Sequence, residues 1–124
     1  MRAILVLCGL ILVIGAVLLW AALRVPTEYG VFVGAPRAAV ADVIERPADF
    51  LHKIVALDDV VRNQCTTMGC YFFFQANGRL IRIELAEITM TAPKGRNERR
   101  ARVEGQLVPY GDGYQVIASA VRFD

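Results

Sequence analysis

The chain has 124 residues, 56% of which are hydrophobic, and it carries a formal net charge of +2. This length leaves room for one compact domain. Arg2 and Arg24 flank an uncharged stretch, so the rest of the chain holds 12 basic and 12 acidic side chains. A neutral domain gives no electrostatic argument for nucleic acid, and a nucleic-acid partner is therefore not expected.

Residues 3–23 contain no charged side chain and consist almost entirely of Leu, Ile, Val, Ala and Gly. As a helix they would span roughly 31 Å, which matches a hydrocarbon core of about 30 Å. The run is longer than the apolar region of a signal peptide, about 7–15 residues, and it lacks a small-x-small cleavage site. We predict a transmembrane anchor over residues 1–24 that contacts the membrane through residues 3–23. A cleaved signal peptide is the alternative.

The orientation of this anchor is not fixed by charge, because Arg2 and Arg24 balance each other across it. An N-terminal hydrophobic anchor nevertheless favours export of the domain behind it. We predict a single-pass protein of the inner cell membrane with its C-terminal domain outside the cytoplasm, in the periplasm.

Residues 25–35 contain proline and glycine without a helical period and are predicted to be a linker. The domain is predicted to occupy residues 36–124. It begins with a short packing helix that starts at Pro36 and ends two or three residues before Pro47, because proline cannot continue a helix.

Five short strands are predicted in the domain. They cover residues 53–62, 69–75, 79–85, 100–108 and 114–123. In the third strand apolar and charged residues alternate, which is typical of a sheet with one buried face. The Asn77-Gly78 pair before it favours a type I′ turn, so the second and third strands should form a hairpin. Asp58 and Asp59 interrupt the apolar first strand and predict a β-bulge there.

Five short strands behind one short helix favour a mainly β domain, built as a small closed or partly closed barrel. Four segments within residues 40–123 point to a family: VIERPADFLHKIVAL, CTTMGCYFFF, RLIRIEL and RVEGQLV, the last with a central Gly105. Together with the lead-in helix they resemble the small bacterial OB-fold domains of the tRNA-anticodon-binding-like type, including membrane-tethered members of unassigned function. The resemblance implies a five-stranded OB-type barrel.

The chain departs from this family at two places. Such domains often have a glycine in the middle of the first strand, where this chain has Asp58 and Asp59. They also often have Trp after the second cysteine, where this chain has Tyr71. The resemblance therefore does not carry a family ligand to this protein.

Cys65 and Cys70 are the only cysteines outside the anchor, and they lie between the first two strands. A disulfide is the leading interpretation, because an exported small domain meets oxidising conditions. Two reduced cysteines are the main alternative. A metal or redox site comes third: both thiolates and Met68 are soft ligands that suit Cu(I), with His52 as a candidate fourth ligand. The spacing differs from the Cys-x-x-Cys of reactive redox pairs.

A basic run precedes the fourth strand and includes Lys94, Arg96, Arg99 and Arg100. A solvated loop is the ordinary interpretation of such a run. The alternative is an anion site for phosphate, a lipid headgroup or nucleic acid.

Four aromatic residues follow one another at positions 71–74. Because side chains alternate along a strand, Phe72 and Phe74 should lie on one face, and Tyr71 and Phe73 on the other. One pair should be core. The other is either covered by packing or forms a stacking platform for a ligand, so Tyr71 and Phe73 are candidate ligand-binding residues.

No catalytic grouping is recognised, and the chain is predicted to be neither an enzyme nor a cofactor-binding protein. The leading hypothesis is a membrane-anchored binding or assembly module of the bacterial envelope, with a protein partner there. A metal or thiol-redox accessory protein using Cys65 and Cys70 is the second hypothesis. A nucleic-acid-binding OB domain, which would require a cytoplasmic location, is the third.

Overall fold

The computed structural model describes residues 1–24, 27–65, 70–89 and 95–124, without the side chains of residues 21–24. The first element is the helix α1, Arg2–Arg24. Over Arg2–Trp20 its mean hydropathy is 3.0, and none of that stretch is buried within the protein. The described chain thus has one helix that is long and apolar enough to cross a membrane, as predicted. The apolar part of a signal sequence would meet the same criterion.

Two short helices follow, α2 at Val40–Glu45 and α3 at Pro47–Phe50. The predicted end of the first is confirmed, and Pro47 occupies the first turn of the second, where its missing N–H costs nothing. The predicted start at Pro36 is wrong. Residues 36–38 instead bond to a strand: the Ala38 N–H donates to Ala56 O over 3.0 Å, and the Ala56 N–H donates to Pro36 O over 2.8 Å.

The rest of the domain is one mixed sheet. Its strands are β1 (Thr27–Gly30), β2 (Ile54–Val60), β3 (Tyr71–Ala76), β4 (Arg79–Glu84), β5 (Arg100–Tyr110) and β6 (Gly113–Phe123). Their order is β2-β5-β6-β4-β3, with β1 also beside β6. All pairs are antiparallel except β4–β6. The β3–β4 hairpin turns through Asn77 and Gly78, whose φ angles of 53° and 73° fit the predicted type I′ turn.

All five predicted strands are present, and β1 adds a sixth in the segment that the sequence pattern assigns to a linker. Thr27 pairs with Phe123, and Gly30 pairs with Ala120. In this order β2 and β3 are the two end strands of the sheet. Among the described residues, one isolated β-bridge, between Arg62 after β2 and Phe73 in β3, joins these two ends. The mainly β fold is therefore confirmed, whereas closure into an OB-type barrel stays a prediction.

The predicted bulge at Asp58 and Asp59 is wrong. Strand β2 pairs with β5 without a register shift from Ile54 to Val60. Both carboxylates are accommodated in a regular strand, because Asp58 pairs with Arg100 across the strands and Asp59 accepts the Val60 N–H. The irregularity lies instead between β5 and β6, at Glu104/Gly105.

The core lies on the inner face of the sheet and under α2. Its largest fully buried apolar residues are Leu57, Phe72, Phe74, Ile83, Leu85, Leu107 and Phe123. The ring centroids of Phe72 and Phe74 are 5.3 Å apart, and those of Phe72 and Phe123 are 5.7 Å apart. Edge-to-face contacts of this kind add to the gain from burial.

Glu104 is fully buried, although it occupies a position on β5 that alternation assigns to the polar face. Its carboxylate accepts the N–H groups of Val33 at 2.7 Å, Gly34 at 3.3 Å and Ala35 at 2.8 Å. Burial opposes its ionisation, but these three amides and the nearby Arg102 charge hold its pKa below the ordinary value. The segment between β1 and α2 is thereby fastened across the sheet.

Candidate functional site

The aromatic run of β3 alternates as predicted. Phe72 and Phe74 are fully buried, whereas Tyr71 and Phe73 are half-buried on the opposite face. The rings of Tyr71 and Phe73 meet edge to face, with centroids 6.0 Å apart. The pair assigned to a ligand platform is therefore on the outer face of the sheet.

Arg82 is the centre of this outer face, and sequence reasoning did not single it out. It pairs across the hairpin with Phe73. Its guanidinium lies 4.0 Å from the ring centroid of Tyr71 and 5.1 Å from that of Tyr110, which are cation–π distances. Its Nη2 donates to Glu84 Oε2 at 2.6 Å. The signal for Arg82 was its place on the polar side of an alternating strand beside an aromatic pair.

The ion pair of Arg82 and Glu84 is partly shielded, since the two side chains are 21% and 17% exposed. Partial burial opposes the charge on Arg82, but the hydrogen bond and charge of Glu84 outweigh it and raise the pKa of the guanidinium. The group stays cationic and held in place. Next to it, the buried Oε1 of Gln115 accepts no hydrogen bond from any described residue.

A cavity of about 280 Å³ opens beside Arg82. Strands β4 and β6 pair only from Arg82 and Gln115 onward, so the first three residues of β4 separate from the β5–β6 turn. This space, the aromatic cleft, is lined by Val43, Ile44, Phe73, Arg79, Leu80, Ile81, Arg82, Tyr110, Gly113 and Tyr114. Its rim holds three apolar side chains that are 38–50% exposed: Leu80, Tyr110 and Tyr114.

The basic run lies elsewhere. Arg96 and Arg99 belong to the loop before β5, and Arg100 begins that strand and pairs with Asp58 at 2.8 Å. Lys94 lies outside the described residues. The ion pairs and cation–π contacts found among the described residues do not join these basic side chains to Tyr71 or Phe73. The arginine that meets the aromatic pair is instead Arg82.

The residues suggested for a metal site are not brought together. His52 precedes β2 and Cys65 follows its other end, so a strand of about 20 Å separates them. Met68 lies outside the described residues. Among the residues that the structure covers, no group of three or more His, Cys, Asp or Glu side chains is arranged to hold a metal.

Cys65 and Cys70 do lie side by side. Both are thiols in the structure, and they share a side-chain hydrogen bond. Burial raises the pKa of Cys70, as do the bond to Cys65 and the charge of Glu84. A raised pKa lowers the thiolate fraction and so disfavours a reactive redox pair. The structural disulfide between them stays a prediction.

In protein taken directly from cells, we expect Cys65 and Cys70 to be linked. The bond would close a short loop, so reduction should lower the free energy of unfolding by about 2 kcal/mol and leave the β-sheet circular dichroism signal intact. The measurement is mass spectrometry of protein alkylated under denaturing conditions without reductant. Full labelling of both thiols would show that the disulfide is absent.

The chain matches no protein-family model, and it matches no curated protein sequence. The site must therefore be judged from its own geometry. That geometry is a fixed arginine between tyrosine rings, beside a cleft with an apolar rim.

Proposed function

We propose that this protein is a membrane-anchored binding module of the bacterial envelope, whose domain presents the aromatic cleft to a protein partner. The observation that carries the proposal is the exposed rim of Leu80, Tyr110 and Tyr114 around the fixed guanidinium of Arg82. Tyrosine and arginine are the residue types that dominate binding energy at protein interfaces. A rim of this composition beside a concavity is an anchor point for a partner side chain.

The cleft is small. Its volume of about 280 Å³ lies at the lower end of the range of roughly 300–1,000 Å³ that is typical of small-molecule pockets. One or two side chains of a partner would fill it.

The domain is proposed to be an OB-type barrel. Support comes from the strand order and the single parallel pair, β4–β6. Further support comes from the bridge between the open ends, where Arg62 and Phe73 exchange amide hydrogen bonds of 2.9 and 2.8 Å. The location outside the cytoplasm is part of the same proposal, and the disulfide measurement tests it, because the bond requires an oxidising compartment.

Photo-crosslinking in cells tests the binding function. With p-benzoylphenylalanine in place of Tyr114 in the full chain, we expect a discrete polypeptide adduct that is at least fivefold weaker when Leu80→Glu is added. Leu80 is 45% exposed, so this change should not disturb folding. Ile54, exposed to 48% and outside the cleft, is the matched control position. Equal adducts from positions 54 and 114 would contradict the proposal.

A further inference from the structure

The loop over residues 95–99 is held rigidly against the end of β2. The Arg96 N–H donates to Gln64 Oε1, and the Gln64 N–H donates to Asn97 Oδ1, both over 2.9 Å. The Glu98 N–H donates to Val61 O at 2.9 Å. Glu98 adopts a φ of 68°, a conformation uncommon for residues other than glycine. The loop therefore displays its side chains from a fixed backbone.

The sheet register places this loop at the membrane end of the domain. Only three residue steps separate the end of α1 at Arg24 from Thr27, a reach of at most about 11 Å. Thr27 pairs with Phe123, which pairs with Ala101 at the start of β5. Two strand spacings amount to about 10 Å. Ala101 thus lies within roughly 20 Å of the helix end, and Arg99, two residues before it, lies within roughly 30 Å.

Two cations of this loop have no acidic partner in the described part of the chain. The loop residue Glu98 forms an ion pair with Arg62. Arg100 forms an ion pair with Asp58, and the charges of Asp59 and Asp124 also lie near it. Arg96 and Arg99 remain. The Nε of Arg96 is buried without a hydrogen-bond acceptor among the described residues. The side chain of Arg99 is exposed.

We infer that this loop binds the phosphate groups of anionic phospholipids through Arg96 and Arg99. Each basic residue near an anionic membrane surface strengthens membrane binding about fivefold. Two such residues bias the orientation of the domain, but they are too few to anchor it on their own. The contact fixes the orientation of a domain that the helix already tethers. The β5–β6 turn lies about 30 Å away along β6, so the aromatic cleft then faces away from the membrane. The inference does not depend on what the cleft binds.

Energy transfer to headgroup-labelled lipids tests this orientation. The full chain is placed in vesicles with a clickable fluorophore at Glu87, just after β4, or at Asp112, in the β5–β6 turn; both side chains are exposed. We expect the ratio of transfer efficiencies, position 87 over position 112, to be at least twofold higher in phosphatidylglycerol than in phosphatidylcholine. Salt at about 0.5 M should abolish the difference, because the contact is electrostatic.

Two double variants distinguish an effect of the loop from an effect of the overall charge of the domain. Arg96→Gln with Arg99→Gln should give the phosphatidylcholine ratio in phosphatidylglycerol vesicles. Arg37→Gln with Arg46→Gln removes the same charge elsewhere and should leave the wild-type ratio. If the double loop variant loses its circular dichroism signal, Arg99→Gln alone should remove part of the lipid difference. Equal ratios for the wild type in both lipids, or loss of the difference in the control variant, would overturn the inference.

Discussion

Replacing Gly105 with alanine should lower the free energy of unfolding by about 3 kcal/mol. A Cβ at this position would lie 2.6 Å from Ile117 O and 2.6 Å from Val116 Cγ1. The first of these atoms is backbone of the neighbouring strand, so relief requires β5 and β6 to move apart at their register shift. The measurement is denaturant unfolding of the full chain in mild detergent, followed by circular dichroism.

Gly113→Ala is the matched control for this change. Gly113 begins β6, and its nearest atom to an added Cβ, Tyr110 O, is 4.0 Å away. The control should change stability by no more than about 0.5 kcal/mol. If the two alanine variants unfold at the same denaturant concentration, the close approach of β5 and β6 is not a real constraint.

Removing the carboxylate of Glu104 should also cost about 3 kcal/mol, because three backbone amides lose a charged acceptor together. Glu104→Ala tests the full loss, and Glu104→Gln tests the charge with the shape retained. Glu87→Gln, at an exposed turn, is the control and should be neutral. A Glu104→Ala protein as stable as the wild type would show that the segment over residues 33–35 contributes nothing to the fold.

The pH dependence of this effect has a defined sign. The pKa of Glu104 in the folded protein is below its ordinary value of 4.5. As the pH falls below that value, the unfolded state takes up the proton first, so the stabilisation by Glu104 is present above pH 4.5 and is lost on acidification through the folded pKa. The stability difference between the wild type and Glu104→Gln should shrink over this range. A constant difference down to low pH would contradict the assignment.

Features set by neighbouring residues were predictable from the sequence. The turn at Asn77-Gly78 and the split of Phe72 from Phe73 depend only on the local chain. Strand β1 was missed because it is held by main-chain pairing with residues far along the sequence, and only Tyr29 of its side chains packs against the core. Glu104 was missed because nothing near it in sequence shows that another segment covers it.

The candidate site was predictable to the same extent. Tyr71 and Phe73 follow from alternation along one strand. Arg82 joins them through the hairpin register, and Tyr110 reaches Arg82 from a different hairpin. Such a cluster depends on pairing between β4 and β6, which are parallel and distant in sequence. No turn motif in the sequence indicates a parallel pair, so this cluster could be recognised only in the structure.

The pairing of β1 with β6 has a consequence for synthesis. Ninety residues separate Gly30 from its partner Ala120. At about 5–20 residues per second, roughly 5–20 s pass between the translation of the two strands. The helix α1 is available for insertion throughout that interval, while β1, β4 and β5 each lack the strand that joins them. The full sheet can therefore assemble only after β6 has been made, long after the synthesis of α1.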